Sequence, residues 1–209
     1  MTDEFHKPTQ YSGSKFDSFV GGEDPAQISR MAHETAQALL GRVRESPDPE
    51  VIQRLVGYTD EHGVDAIAEL WARASARSLP GALWRIYLLR ALVRQDPAGS
   101  ALYFQRGTES TGGIDPVVAG ATSPTGPGEI TILADQILRG LFEGDFAVAL
   151  ERAAAFCRVS SLGCAGLADD SEATSPERSS QLTTRALRLT QTAEELTASA
   201  RLWRSGSLD

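Results

Sequence analysis

An all-α fold, a single bundle of about seven or eight helices, is what the sequence predicts from the spacing of its apolar residues. Three observations lead there. Apolar residues recur at three- and four-residue steps along most of the chain. Asp-Pro pairs and Ser or Gly just ahead of Pro mark one helix start after another. No run alternates apolar and polar residues as a half-buried strand does; Val117-Val118 and Ile130–Ile132, the nearest approaches, sit beside Pro and Gly.

Residues 1–23 read as a disordered tail rich in Gly, Ser, Thr and Asp, with Phe5, Tyr11, Phe16 and Phe19 scattered through it as either a docking motif or a self-docking strap. An all-helical domain is expected over 24–205. Its first helix starts at Asp24-Pro25, carries Ile28, Met31, Ala32, Leu39, Leu40 and Val43, and stops at Ser46-Pro47. Asp48-Pro49 repeats the start signal for a second helix, with Val51, Ile52, Leu55 and Val56 inward and Gly63 at its close. A third runs from about Val64 to Ala76, with Ile67, Leu70, Trp71 and Ala74 on one face. Ser78 caps a fourth, which continues to Gln95 before Asp96-Pro97 breaks it; a fifth, short helix covers Ala98–Gln105 and ends at Gly107. The tandem pairs between Asp24 and Gly107 leave open a repeat of helical hairpins in the N-terminal half.

Gly, Pro, Thr and Ser crowd residues 107–128, which read as a long loop pinned by Ile114, Val117 and Val118. Pro127 opens a sixth helix bearing Ile130, Leu133, Ile137, Leu138 and Leu141, and Asp145 caps a seventh bearing Phe146, Leu150, Phe156 and Val159. An acidic, Ser-rich second loop is expected over 163–175. Pro176 then opens a last helix to about Trp203. Its apolar positions Leu182, Ala186, Leu189, Ala193, Leu196, Ala200 and Trp203 alternate steps of four and three, a heptad seam. That seam suits either association with a partner or a second copy, through Leu182, Leu189, Leu196 and Trp203, or packing within the bundle.

Composition limits the functions open to the chain. Its 209 residues are 41% hydrophobic and 23% charged, with a formal net charge of −8, so no nucleic-acid partner is expected. No apolar run is long enough for a membrane span and no leader is apparent, which makes the cytoplasm the expected compartment. Lys7 and Lys15 are the only lysines; the preference for Arg fits a GC-rich genome as well as it fits selection for bidentate contacts. Cys157 and Cys164 have neither zinc nor redox spacing; Cys157 reads as a packed apolar residue, and a disulfide requires the chain to turn after Leu162.

Chemistry-bearing motifs are missing. His6, His33 and His62 are far apart, Gly112-Gly113 and Gly126-Pro127-Gly128 precede no GK[ST], and there is no GxSxG, so no catalytic residue, metal ligand or cofactor is assigned. The third and fourth helices have helix-turn-helix lengths, but Leu79-Pro80-Gly81-Ala82 offers no base-reading side chain.

The most informative segment is Leu83-Trp84-Arg85-Ile86-Tyr87-Leu88-Leu89-Arg90-Ala91-Leu92-Val93, apolar around its whole circumference and therefore expected to be central. Arg85, among Ala82, Leu88, Leu89 and Leu92, is expected to be enclosed in a structural ion pair with Glu69, Asp135, Glu143 or Asp145. Trp84, Tyr87, Arg90 and Arg94 are the candidates for an accessible site for an anion or acidic partner.

The segments ALWRIYLLRALV at 82–93 and GDFAVALERAAAFCRV at 144–159 resemble those of an uncharacterised family of all-helical proteins from high-GC bacteria. The resemblance covers about half the chain. It implies a helical domain in a bacterial cytoplasm, and carries no activity and no site residue. The functional expectations are therefore three. The first is a non-catalytic protein–protein interaction module, an adaptor or regulator. The second is a small-molecule-binding or enzymatic helical domain with an anion-binding arginine, its pocket where the 107–128 loop meets the central helix. The third is a DNA-binding regulator, disfavoured by charge.

Overall fold

The computed structural model describes residues 24–45, 48–62, 65–110, 113–121 and 125–209, so the expected tail at 1–23 and its aromatics lie outside the described residues. Within them the chain forms α1 (Pro25–Glu45), α2 (Pro49–His62), α3 (Asp65–Trp71), α4 (Leu79–Gln95), α5 (Pro97–Ser110), α6 (Asp115–Ala119), α7 (Pro127–Glu143), α8 (Phe146–Ser171) and α9 (Pro176–Arg204), with no strand among the described residues. Five of these helices begin at a proline, whose fixed φ and missing N–H suit the first turn. Side-chain oxygens cap several starts: Asp24 accepts from Ala26 N at 3.0 Å, Asp48 from Glu50 N at 2.8 Å and Asp145 from Ala147 N at 2.8 Å.

The all-α expectation holds, and α8 is its axis. It packs on α9, α5, α6 and α7, while α4 packs on α7, α1, α9 and α3. The hairpin-repeat arrangement is not what forms. α1 lays Ala32, Ala36, Leu40 and Val43 chiefly against α4, α3 and α7, leaving Met31 exposed, and α2 packs chiefly on α7.

Two glycines expected at helix ends are interior instead. Gly107 lies inside α5 and Gly163 inside α8, so α5 runs on to Ser110 and the loop expected at 163–175 is helix as far as Ser171. At their crossing a Cβ on Gly107 would lie 1.8 Å from the Val159 carbonyl oxygen, and one on Gly163 would lie 1.8 Å from that of Tyr103. The two backbones therefore touch, which only residues without a side chain permit. Cys157 and Cys164 consequently sit on one helix, seven residues or about 10 Å apart along its axis, beyond disulfide reach; both are free and buried.

The 107–128 segment also differs from expectation. α6 interrupts it, held by polar contacts and by the buried Ala119 rather than by Ile114 and Val117. Asp115 forms a two-pronged pair with Arg158 (2.7 and 2.8 Å), and Arg152 donates to the Ala119 carbonyl at 3.2 Å. Ile114 and Val117 point outward, 75% and 79% exposed.

The heptad seam of α9 is covered within the chain. Leu182, Ala186, Ala193, Leu196 and Ala200 are buried, and Trp203 packs against Phe146 of α8 with ring centroids 4.4 Å apart and the rings tilted by 40°. The pairs Ser161–Thr190, Arg158–Thr197 and Glu151–Arg204 show that α8 and α9 run antiparallel along the seam. The candidates Leu182, Leu189, Leu196 and Trp203 thus belong to the intramolecular core, because Ala alternating with Leu lets α8 approach closely.

Candidate functional site

Arg85 of α4 is ion-paired as expected, though to a different carboxylate, whereas Arg90 is buried rather than accessible. Leu83, Ile86, Tyr87 and Arg90 share the face of α4 that turns inward, and Arg90 is 2% exposed. Its Nε donates to Asp135 Oδ1 at 2.6 Å, while Nη1 and Nη2 donate to the two Asp60 oxygens at 3.1 and 2.8 Å. Arg94, one turn on and a third exposed, reaches Asp60 Oδ1 at 2.8 Å and Asp135 Oδ2 at 3.3 Å. Burial raises the Asp60 pKa, but the hydrogen bonds and charges of Arg90 and Arg94 outweigh it and hold the carboxyl below its ordinary value. Burial likewise opposes the charge on Arg90, and its two carboxylates more than restore it. Tyr87 is sealed into the core, its hydroxyl 3.4 Å from the Leu55 carbonyl oxygen. Tyr87, Arg90 and Arg94 therefore form a brace joining α2, α4 and α7 rather than an open site. A wheel drawn for one helix fixes which residues share a face, but not which face turns in. That depends on Asp60 and Asp135, carried by helices whose placement the wheel does not contain.

Arg85 lies on the opposite side of α4. Its partner is Glu195 of α9, at 2.6 Å from Nε, rather than any of the four carboxylates expected; Nη1 donates to the Gly81 carbonyl at 3.0 Å. Both side chains keep partial contact with solvent, 18% and 16% exposed. The pair closes one end of an open groove of about 840 Å³ between α4 and α9, within the size range of small-molecule sites.

The groove follows from the all-round apolarity of α4. Its neighbours cover most of the helix, but the stripe Trp84, Leu88 and Leu92, at four-residue steps, is left partly uncovered; Leu92 is 41% exposed. This stripe is one wall, and α9 supplies the other with Thr184, Arg185, Arg188, Thr192 and Glu195. Phe156 and Ser160 of α8 contribute at the floor, and Tyr103 of α5 stands at the far end with the Arg185 guanidinium 4.9 Å above its ring. From Glu195 back to Ser180 the α9 wall spans about 22 Å at 1.5 Å per residue. Three arginines and one glutamate line the groove, a local positive balance on a chain of net charge −8.

Trp84 was the one accessible-site candidate that the structure places here, and Arg85 joins it. Arg185, Arg188 and Ser160 carried no sequence signal, because each belongs to an ordinary helical stretch and gains meaning only from the α4–α9 separation. No described residue of the 107–128 segment lines the groove, which instead lies between α4 and α9. Ser160 is 4% exposed, and its Oγ has no hydrogen-bond partner among the described residues.

Among the described residues no three His, Cys, Asp or Glu side chains gather as a metal site, and no helix is long and apolar enough to cross a membrane. The class these features define is an all-α bundle with an open amphipathic groove. No family model, no curated protein and no solved structure matches the chain.

Proposed function

We propose that the chain is a binding module whose ligand is a single-chain amphipathic anion held in the α4–α9 groove. The observation that carries this is the pairing of a partly uncovered apolar stripe, Trp84, Leu88 and Leu92, with the guanidinium groups of Arg185 and Arg188 on the facing wall. An apolar tail removes the stripe from water, at about 25 cal/mol per Å². An anionic head meets guanidinium groups that no carboxylate occupies: Arg185 stacks on Tyr103, and Arg188 has no ion pair among the described residues.

Binding rather than turnover is supported by what lines the groove. Its titratable side chains are Arg85, Arg185, Arg188, Tyr103 and Glu195, and Glu195 is already bonded to Arg85 and to Gln191. The adaptor expectation drew on the α9 seam, on the aromatics of residues 1–23, which lie outside the described residues, and on the lack of catalytic motifs. With that seam laid against α8, the groove is the surface that supports a binding role.

Titration calorimetry with decanoate and with decyltrimethylammonium tests the reading. Decanoate should bind and the cation should not. Arg188→Ala and Leu88→Glu, each at a position not sealed in the core, should weaken decanoate about tenfold or more. Equal binding of both probes, or indifference to both substitutions, would sink it.

A further inference from the structure

The groove holds one polar atom that the fold leaves unused. Ser160 Oγ is buried at the floor and makes no hydrogen bond among the described residues, although serines on helices commonly bond a carbonyl one turn back. Its neighbour shows the contrast: Ser161 Oγ donates to the Ala186 carbonyl and pairs with Thr190 Oγ1, both at 2.8 Å. Those two bonds set the register. They place this turn of α8 level with residues 186–190 of α9, the stretch from which Arg188 and Leu189 line the groove. The idle hydroxyl therefore lies on the same level as the guanidinium end of the site.

A buried hydroxyl without a partner is a net cost to the folded chain, so such groups in native proteins usually answer to something absent from the bare fold. Resting on the ligand reading above, we infer that Ser160 is the floor-side donor of a head-group site. Its Oγ, covered in the unliganded groove, turns into it about χ1 and donates Oγ–H to one oxygen of a carboxylate while Arg188, with Arg185 beside it, takes the other from the rim. The apolar tail then runs along Leu88 and Leu92 toward Trp84. A monoanionic carboxylate fits better than a dianion. Arg85 is neutralised by Glu195 at 2.6 Å, and the Glu195 carboxylate stands in the same groove. No covalent step is involved: Ser160 is a specificity residue that ranks head groups.

The test compares wild type with Ser160→Ala, using decanoate and its neutral counterpart decanol by titration calorimetry and thermal melts of the unliganded proteins. Decanoate should bind Ser160→Ala about tenfold more weakly, the loss expected for one hydrogen bond to a charged group, while decanol binds both alike. Without ligand the variant should melt at or above the wild-type temperature, because it removes an unpaired polar atom and leaves the helix intact. If Ser160→Ala binds decanoate as tightly as wild type, weakens both probes equally, or melts several degrees lower, the head-group role is overturned and the groove reading survives. If wild type binds neither probe, the groove reading itself fails and this inference with it.

Discussion

Arg90 grips Asp60 with both terminal guanidinium nitrogens, at 3.1 and 2.8 Å, while its Nε holds Asp135 at 2.6 Å; one buried side chain thereby ties α4 to α2 and to α7. Its neighbour Arg94 touches the same two carboxylates from the outside. The two arginines see the same partners from different dielectrics, and their contributions separate accordingly. Arg90→Ala leaves two carboxylates without their central cation and opens a cavity beside Tyr87. It should cost roughly 3 kcal/mol or more in urea unfolding. Arg94→Ala should cost less than about 1 kcal/mol, because solvent screens a pair that is a third exposed.

Acid should loosen the same brace. The Asp60 carboxyl has its pKa lowered from an ordinary 3.8, so it binds a proton more readily in the unfolded chain than in the folded one. Its stabilising contribution is complete above 3.8 and fades as pH falls through the lower folded value. Asp115, held down first by its hydrogen bonds to Arg158, behaves in the same sense. Urea midpoints should therefore drop steeply below about pH 4, and Asp60→Asn should be penalised at pH 7 but much less at about pH 2.5.

Not all glycines in helices are alike. Gly107→Ala and Gly163→Ala each drive a methyl into a backbone carbonyl at 1.8 Å, so α5 and α8 must separate; each should cost at least about 1–3 kcal/mol. Gly57→Ala in α2 meets nothing within 4 Å and should stabilise by about 0.5–1 kcal/mol through helix propensity. Thermal melts of the three variants check both signs.

The α9 seam makes its own prediction. Leu196 is fully buried against the core, so Leu196→Ala should cost roughly 2–5 kcal/mol, as a cavity inside one chain. An intermolecular seam would instead give unfolding midpoints that rise with protein concentration. Over a hundredfold dilution, where association would contribute a shift on the order of 2.7 kcal/mol, the midpoint of wild type should stay constant, and so should the lower midpoint of the variant.

These contrasts show how far the sequence reaches. Helix starts were legible because caps act locally: Asp24, Asp48, Ser78 and Asp145 all do the chemistry their types suggest within three residues. Glycine was not, because the same absent side chain serves a turn or a crossing, and only the approach of α5 to α8 decides for Gly107 and Gly163. The central helix was legible and so was a paired Arg85, but the burial of Arg90 was not, since the direction of the inward face is set by Asp60 and Asp135 at 30 and 45 residues' remove. The groove was beyond reach of pattern reading altogether. It exists because α9 touches α4 at Arg85–Glu195 and diverges from it beyond, a spacing that no local periodicity encodes.

The two thiols of α8 give the molecule a built-in recorder of its own breathing. Burial pushes Cys157 up to about 12 and Cys164 to about 11, so at neutral pH neither offers the thiolate that alkylating reagents attack. Labelling must wait for the packing to open. The positions differ: Cys157 lies in the main core, and Cys164 in the smaller cluster with Ala168, Leu182 and Ala186, under the first turns of α9. Fraying of that helix start would mark Cys164 alone, whereas global unfolding would mark both. The ratio of singly to doubly tagged chains then reads out, residue by residue, how the molecule comes apart.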